Sequence, residues 1–485
     1  MKTALGYPSP PPPTGDLDPE EFRAAGHALV DWIAGYLEEP GRHPVRPAVA
    51  PGDLLDRLPS EPPSEGSCQA RILEDFQSQI LPHVTHWNHP GFMAYFSAGG
   101  SSPGVLGEAL CAALNNIGLL WRSSPALAEL EQRTLGWLGR LLGLPPDWFP
   151  IIHDTASVAT LHAVIAARET ASEAARGQGR QLDLNRIVMY TSEQAHSSVE
   201  KAMAALGRGV GACRKVACDR RFAMRPDALR AAIRADVRDG LEPIAVVATV
   251  GTTASTAVDP VSAIADVAAE RSLWLHIDAA YAGAAAMLPE HRRHFAGCER
   301  ADSFVVNPHK WLFVPMDFTA LYTSRPEAFR RVFSLVPEIL RSRRHPRAVN
   351  FMEYSIPLGR RFRALKLWYV LRSFGAERIA ATLREHVRLA SLLAGWVDAS
   401  PEFERLAPAP FSLVCLRYRP AGAGEAEADA ASARLLDAVN ATGEFFLSHA
   451  KLGGRYAIRV AIGNMRTTED HLRRLWHLLQ SLAGG

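Results

Sequence analysis

The sequence predicts an α/β protein built around a mostly parallel sheet covered by helices. Between about residues 91 and 330, short apolar runs alternate with amphipathic helical segments, a pattern typical of such sheets. One of these segments, residues 259–268, has apolar residues at helical spacing and predicts a crossover helix between two strands. Ligands are expected where the strands end, because open sheets of this kind bind at their carboxyl edge. The predicted strands are Ile187 to Tyr190, Ile244 to Val250, Leu273 to Ile277, Ser303 to Val306 and Thr319 to Tyr322.

Four segments follow one another along the chain. Residues 1–15 are rich in proline and are predicted to be disordered. Residues 16–90 are predicted to be helical, starting at Asp18 and Pro19, an N-cap residue followed by a proline in the first turn. Residues 91–365 contain the predicted sheet and form the large domain. Residues 366–485 are expected to form a smaller α+β domain.

Shorter patterns describe the C-terminal domain. A long helix around Phe362 to Phe374 is expected to lead into it. Ala421 to Ala428 is interpreted as a surface loop, and Ala457 to Ile462 as a strand. The last predicted helix extends from Glu469 to Leu482.

Composition and charge narrow the class of protein. Of the 485 residues, 47% are hydrophobic and 21% are charged, which is close to the average for globular proteins. The 53 Lys and Arg residues nearly balance the 51 Asp and Glu residues, leaving a formal charge of +2. Such a balance creates no global field that would attract nucleic acid or an anionic membrane, so neither partner is expected.

Cysteine usage and the N-terminus indicate the compartment. The six cysteines form no C-x-x-C pair, which favours free thiols in a reducing environment and gives no reason to expect a metal site. The first residues lack the apolar core of a secretory signal, and no apolar run is long enough for a membrane span. These observations predict a cytoplasmic protein.

The strongest local signal is the lysine at position 310. It follows the predicted strand Ser303 to Val306 and the turn Asn307-Pro308-His309. A lysine at the end of a buried strand loses hydration, which lowers its pKa and makes the neutral amine available for imine formation. The alternative is an ordinary solvated lysine, which is the commoner situation for this residue.

An aspartate at the end of another predicted strand strengthens the case. Asp278 follows Leu273 to Ile277, where a ligand of the sheet would lie. A pyridine ring withdraws electrons strongly only while its nitrogen is protonated, and a buried aspartate is suited to hold that proton. A helix cap is the structural alternative for Asp278.

Three weaker signals lie near other strand ends. Thr155, Ala156 and Ser157 precede or open a helix, where hydroxyls and free N–H groups could bind a phosphate, although such residues are usually only caps. His196 follows a strand and could lie flat against a planar ligand. Thr253 belongs to a small-residue turn that a ligand could approach closely, as many βα turns could.

Together these segments resemble the pyridoxal-dependent group II decarboxylases, most closely the aromatic-L-amino-acid decarboxylase family. The resemblance extends from about residue 20 to the C-terminus. It implies a PLP-dependent transferase-like fold (fold type I) and a homodimer in which N-terminal helices embrace the partner. The stretches that carry it are Asn307-Pro308-His309-Lys310-Trp311, His276-Ile277-Asp278-Ala279-Ala280-Tyr281, Gln194-Ala195-His196-Ser197-Ser198 and Ile356-Pro357-Leu358-Gly359-Arg360-Arg361-Phe362.

The resemblance also implies roles for single residues. Lys310 would carry pyridoxal 5′-phosphate as a Schiff base, Asp278 would pair with its ring nitrogen, and His196 would stack on the ring. His309 would join these three in catalysis. The remaining cofactor contacts would be Thr155, Ala156, Ser157, Asn307 and His309 around the phosphate and Thr253 and Ala280 along the ring. The substrate side chain would meet Trp87, Tyr95, Phe96 and Gly359, with Ile117 and Leu119 expected from the neighbouring subunit.

Two departures from the family pattern affect these expectations. Asp154 and Val158 flank Thr155 to Ser157 where the family usually has Gly and Glu, so the details of the phosphate site differ. Ile339 occupies the place of a tyrosine that donates a proton after CO2 leaves. An isoleucine has no such proton, and His196, His309, Tyr354 or water are the alternative donors.

The sequence therefore supports one main function and two alternatives. The main prediction is decarboxylation of tryptophan, tyrosine, phenylalanine or dopa to the arylalkylamine and CO2. Because of Ile339, an aromatic aldehyde synthase, which couples decarboxylation to O2-dependent oxidative deamination, is the first alternative. A non-catalytic dimeric protein that binds a metabolite is the second.

Overall fold

The computed structural model of the protein describes residues 15–335, 345 and 347–483. The predicted disorder at the N-terminus and the departure at Ile339 fall outside these residues, except for Gly15. The helices are α1 Pro19–Glu38, α2 Gln69–Asp75, α3 Ser102–Leu114, α4 Pro125–Leu142, α5 Ala156–Gly177, α6 Ser198–Ala205, α7 Pro226–Arg238, α8 Val261–Ala269, α9 Pro308–Trp311, α10 Pro326–Phe333, α11 Ala364–Asp398, α12 Glu425–Ala441 and α13 Glu469–Ala483. The strands are β1 Phe149–His153, β2 Ile187–Ser192, β3 Cys213–Val216, β4 Glu242–Thr249, β5 Trp274–Asp278, β6 Ser303–Val306, β7 Thr319–Thr323, β8 Phe403–Arg405, β9 Leu413–Tyr418, β10 Ser448–Leu452 and β11 Arg455–Ala461.

The large sheet has seven strands in the order β1-β7-β6-β5-β4-β2-β3. Strands β2 to β6 run parallel, and β7 lies antiparallel between β6 and β1. Every residue of β2, β5, β6 and β7 is buried, which explains why these strands are continuous apolar runs in the sequence. The predicted α/β class and all of the predicted strands are confirmed, as is the crossover helix, which is α8.

The two edge strands of the large sheet were not predicted. Strand β1 contains Pro150, which a sequence pattern treats as a break but which an edge strand tolerates. Strand β3 contains Arg214 and Lys215, and charged residues are typical of edges because they discourage further pairing. Both strands lack the apolar signature of the central ones for the same reason: one side of each is not covered by another strand.

A buried ion pair fixes β1 to the helix before it. The Arg360 guanidinium donates hydrogen bonds to Glu131 of α4 at 2.6 and 2.9 Å, and both side chains are almost fully buried. Glu131 also accepts the Ile152 N–H at 2.9 Å, while Arg360 donates to the Ile152 carbonyl at 2.7 Å. Strand β1, which leads into α5, is therefore tied to α4 and to the segment that carries Arg360.

The second sheet is antiparallel, with the order β10-β11-β9-β8. The predicted strand at residues 457–462 is β11, and the predicted last helix is α13. Helix α11 is longer than predicted: the sequence pattern ends at Phe374, where Gly375 interrupts the helical geometry with φ 67° and ψ 168°, but the helix then continues to Asp398. The interpretation of Ala421 to Ala428 as a loop was wrong in its second half, because α12 begins at Glu425.

The contacts within the chain separate Met1–His86 from Trp87–Gly485. In the first unit, α1 begins as predicted, with Asp18 accepting the Glu20 N–H at 2.9 Å. Across the described ranges, no helix combines the length and the apolar character that crossing a bilayer requires.

Candidate active site

Lys310 lies in the short helix α9, directly after the central strand β6. Its Nζ atom is 5.5 Å from the centre of the Phe96 ring. Burial lowers the pKa of Lys310 below its ordinary value of 10.5; the Arg459 charge lowers it further, whereas Asp278 opposes the shift. The structure thus provides an amine that loses its proton more readily than a solvated lysine.

Asp278 is the last residue of β5, next to β6 in the sheet. Its side chain is buried, and Oδ1 accepts the Ala280 N–H at 3.0 Å. The Ala280 carbonyl in turn accepts the Asn307 N–H at 2.9 Å. The turns after β5 and β6 are therefore joined, and the Asp278 carboxylate acts electrostatically on both Lys310 and His196.

His196 follows β2, and its ring has a defined proton position. Nδ1 accepts the Ser198 N–H at 3.1 Å and lies 2.8 Å from the Ser198 hydroxyl. A nitrogen that accepts a backbone N–H carries no proton, so the neutral ring has its proton on Nε2. Burial lowers the pKa of His196, an effect that Asp278 opposes and Lys310 and Lys201 reinforce.

His309 has the same tautomer for a similar reason. Its Nδ1 accepts the Phe318 N–H at 3.1 Å, so the neutral ring carries its proton on Nε2. Burial and the neighbouring Lys310 charge lower the pKa of His309 to about 4. Both histidines near Lys310 are therefore neutral hydrogen-bond donors at pH 7.

The start of α5 provides the features of an anion site. Thr155 is the N-cap residue, and its hydroxyl accepts the Val158 N–H at 3.4 Å. The first turn of α5, which includes Ala156 and Ser157, contains no acidic residue. The Thr319 hydroxyl lies 2.8 Å from Asn307 Oδ1 and 3.3 Å from the carbonyl oxygen of Asp154, so Asn307 and the start of α5 are neighbours.

A cavity of about 640 Å³ opens above Lys310. Trp87 and Tyr95 stack with their ring centres 6.0 Å apart, and Phe96 stacks on Tyr281 at 3.8 Å, so one side of the cavity is aromatic. The other side is polar. The lining residues are Trp87, Tyr95, Phe96, Ala98, Glu193, Gln194, Ala195, His196, Ser197, Thr253, Ala254, His309, Lys310, Met316, Ser448, His449, Ala450, Lys451 and Arg459.

Seven of the predicted residues line the cavity: Trp87, Tyr95, Phe96, His196, Thr253, His309 and Lys310. Asp278, Ala280 and Asn307 are linked to Lys310 by hydrogen bonds, and Thr319 links Asn307 to Asp154, the residue before Thr155. Ile117, Leu119 and Gly359 do not line the cavity; a Cβ atom on Gly359 would lie 3.4 Å from the Ile117 side chain, so these two residues are neighbours elsewhere on the same chain. Ile117 is 55% exposed. Gly359, which is expected near the substrate side chain, thus lies beside a residue that is expected to serve the neighbouring subunit.

Sequence reasoning missed Arg459 and Ser448, which belong to the small sheet. Arg459 is buried in β11, between apolar residues that are also buried. An arginine in the middle of the apolar run 457–461 was a usable signal, since a charged side chain in a buried strand has to find polar partners. Ser448 carried no signal, because a serine at the start of a strand is ordinary.

Comparisons with known proteins agree with this geometry. The family model described as "Pyridoxal-dependent decarboxylase conserved domain" matches residues 51–419. A phenylacetaldehyde synthase of a Rosa hybrid cultivar is 39% identical, with 97% of this chain and 95% of the relative covered. Tyrosine decarboxylase 4 of Petroselinum crispum is 38% identical over the same shares. The crystal structure of Oryza sativa TDC with PLP and tryptamine has a TM-score of 0.94 at 34% identity, covering 97% of this chain and 99% of that one.

The lowered pKa of Lys310 predicts its reactivity in the cofactor-free protein. Cyanate reacts with neutral amines, so the pH dependence of carbamylation at Lys310, followed by mass spectrometry of its peptide, should have a midpoint below 10.5. Because the Asp278 charge opposes the shift, Asp278→Asn should move the midpoint to still lower pH. Asp266→Asn, which changes an exposed carboxylate paired with Arg300, is the matched control and should leave it unchanged. A midpoint at or above 10.5 would contradict this account of the site.

Proposed function

Because the chain belongs to the pyridoxal-dependent decarboxylase family, we propose that it converts an aromatic L-amino acid to the corresponding arylalkylamine and CO2. The candidate substrates are tryptophan, tyrosine, phenylalanine and dopa. One observation carries the proposal: Lys310 and His196 line a single cavity, within the electrostatic reach of Asp278, and an aromatic wall faces them. The fold is that of the fold-type-I enzymes, and the family's cofactor is pyridoxal 5′-phosphate.

The residues present fit this cofactor. An aldehyde requires an amine with a lowered proton affinity, which Lys310 provides. A pyridine nitrogen requires a buried acid, which Asp278 provides at the end of β5. A phosphate requires hydrogen-bond donors, which the hydroxyl of Thr155 and the start of α5 at Ala156 and Ser157 would provide, while Asp154, just before the helix, accepts the Thr155 N–H at 2.8 Å. Asn307 and His309 would complete the phosphate site, Thr253 and Ala280 would line the ring, and His196 would cover its face.

Each residue of the site has its own role in the proposed decarboxylation. When bound, the cofactor supplies an electron sink for the electron pair that CO2 leaves behind. Asp278 would hold the proton of the ring nitrogen, and Lys310 would hold the cofactor through its aldehyde carbon. His196 and His309, whose neutral rings carry the proton on Nε2, would each donate a hydrogen bond to the bound ligand. Trp87, Tyr95 and Phe96 would bind the aromatic side chain of the substrate.

A second candidate function is supported by Ile339. This residue stands in the sequence where the family carries a proton-donating tyrosine. In the structure, Tyr354 stacks on Phe149 at 4.3 Å and is not among the cavity-lining residues, and both cavity histidines are neutral at pH 7. An aromatic aldehyde synthase would need no such proton donor: the amino acid, O2 and water would give the aryl acetaldehyde, CO2, ammonia and hydrogen peroxide. The Rosa relative carries the name of such an enzyme.

One incubation distinguishes the two reactions. With each of the four aromatic amino acids, CO2, amine, ammonia and peroxide are measured together and the products are identified by mass. The proposal predicts equal amounts of CO2 and amine without peroxide; equal CO2, ammonia and peroxide would replace it with the aldehyde synthase. If water or a histidine already supplies the proton, Ile339→Tyr should change the rate of amine formation little. If no group supplies it, the new tyrosine should raise that rate, since general acid help is typically worth roughly 10²–10⁴-fold. Absence of CO2 from all four would refute both enzymatic functions and favour a metabolite-binding protein.

We further propose that the protein is a homodimer whose active sites contain residues from both subunits. On α3, Leu106, Leu110 and Leu114 recur at helical spacing and are each more than 40% exposed, which is unusual for an apolar stripe. Ile117 and Leu119 follow the same helix and lie away from their own cavity. A second copy packed on this surface would cover the stripe and bring Ile117 and Leu119 to the partner's substrate.

The N-terminal helices are proposed to take part in the same dimer. Helix α1 has no buried residue, although Phe22, Leu29 and Val30 are apolar and exposed. Such a helix gains stability only when another surface covers it. We propose that residues 16–90 embrace the partner subunit, that residues 91–365 bind the cofactor and that residues 366–485 form the small domain. The free thiols of all six cysteines support a cytoplasmic location.

Complementation between inactive variants tests the shared site. Lys310→Ala and Leu119→Asp are each expected to inactivate a homodimer. In a coexpressed mixture, half of the dimers are heterodimers with one intact site, so about a quarter of the wild-type activity should return. Lys310→Ala mixed with Asp278→Asn is the matched control and should recover nothing, because both residues belong to the same chain's site. Failure of the first pair to recover activity, or a monomeric mass by light scattering, would refute the shared site.

A further inference from the structure

The backbone of Tyr95 is held in an unusual conformation at the wall of the cavity. Its φ is +50°, in the left-handed region that residues other than glycine seldom adopt. The side chain is 53% exposed, so burial of the ring does not impose this conformation. Left-handed backbone at a side chain of this size persists only where surrounding groups determine it, and such positions cluster at ligand sites.

Two side chains of the small sheet determine it. The Tyr95 N–H donates to the Ser448 hydroxyl oxygen at 3.1 Å, and the Tyr95 carbonyl accepts from Arg459 Nη2 at 3.3 Å. Arg459 Nη1 donates to the same Ser448 oxygen at 2.7 Å. The three hydrogen bonds form a closed ring, so both polar groups of the Tyr95 backbone are fixed by one serine and one arginine. We call Ser448 and Arg459 the Tyr95 anchor.

Arg459 also fixes two other parts of the cavity. Its Nε donates to the Ala254 carbonyl at 2.9 Å, and Nη2 donates to the Thr253 carbonyl at 2.7 Å. The guanidinium carbon lies 5.3 Å from the centre of the Phe96 ring. All four hydrogen-bond acceptors are uncharged, which distinguishes Arg459 from the buried Arg360 with its carboxylate partner. Among the described residues, Arg459 is thus hydrogen-bonded to backbone carbonyls and a hydroxyl instead of a carboxylate.

We propose that Ser448 and Arg459 are positioning residues that set the aromatic wall of the cavity and thereby determine how tightly the aromatic side chain of a ligand is held. The inference rests on the proposed function, because it assigns the wall to the substrate side chain. Tyr95 stacks on Trp87 and meets the edge of Phe446 at 5.9 Å only in its present conformation. Without the Tyr95 anchor, the backbone returns to a negative φ, and the ring leaves the wall.

Loss of the Tyr95 anchor should therefore weaken substrate binding more than it lowers turnover. The Arg459 charge acts on Lys310, whereas Ser448 carries no charge, so Ser448→Ala isolates the positioning effect. Its KM for aromatic amino acids should rise roughly three- to tenfold, the range expected for one lost hydrogen bond, while kcat changes less than twofold. Ser448→Thr keeps the hydroxyl and should restore the wild-type KM.

The effect is tested without turnover by a non-reactive probe. Indole-3-propionate has the aromatic ring and a carboxylate but no amine, so it binds without turnover, and Ser448→Ala, which changes no charge, is the variant whose Kd reports the wall. The Kd should rise in Ser448→Ala and in Arg459→Met, and remain at the wild-type value in Ser448→Thr. Arg455→Met is the matched control for the second variant, because Arg455 lies on the same strand with a partly exposed side chain.

The crystal structure of Ser448→Ala gives the most direct result. A negative φ at Tyr95 supports the proposal; a φ that stays near +50° refutes it, as does an unchanged Kd for the probe. Equal losses of kcat and kcat/KM that Ser448→Thr does not restore would also overturn it. These results are distinguishable from failure of the proposed function, which would appear as a wild-type enzyme that turns over no aromatic amino acid.

Discussion

The pairing of a lysine with a carboxylate at the ends of two buried strands underlies everything the protein is proposed to do. Lys310 follows β6 and Asp278 ends β5, and the turns after these strands are joined by the hydrogen bond from Asn307 to Ala280. Burial lowers the proton affinity of the amine, whereas the carboxylate raises it. The net effect is an amine that loses its proton more readily than a solvated lysine, next to a buried carboxylate.

The position of the two residues follows from the burial of the central strands. Strands β5 and β6 are buried along their whole length, so a charged side chain is tolerated only where they end. The same edge receives His196 from β2, the start of α5 and the turn at Thr253. The small sheet closes the site from the other side, through Arg459 and Ser448. The cavity is therefore built from both sheets.

The sequence predicted what depends on local patterns and missed what depends on packing. Central strands and the lysine, aspartate and histidine at their ends are visible because burial enforces apolar runs that stop at polar residues. Edge strands β1 and β3 are invisible because an uncovered edge accepts proline and charge. Arg459 lies far from the motifs in the chain, and its partners are backbone carbonyls that no pattern reveals.

Because of the electrostatics of the site, the groups proposed to support loss of CO2 do not decide whether the product is an amine or an aldehyde. His196 and His309 are held as neutral donors, with lowered pKa values, so neither carries an additional proton at pH 7. In the proposed reaction, loss of CO2 would depend on Asp278 and Lys310, whereas the fate of the remaining electron pair would depend on a separate proton source.

Reduction of the holoenzyme with borohydride, followed by peptide mass mapping, tests the central claim most directly. The chain contains lysines at positions 2, 201, 215, 310, 366 and 451, so the modified residue is identified without ambiguity. The account predicts a phosphopyridoxyl group on Lys310 alone. A modification on Lys201 or Lys451, or a cofactor that borohydride leaves unattached, would contradict it.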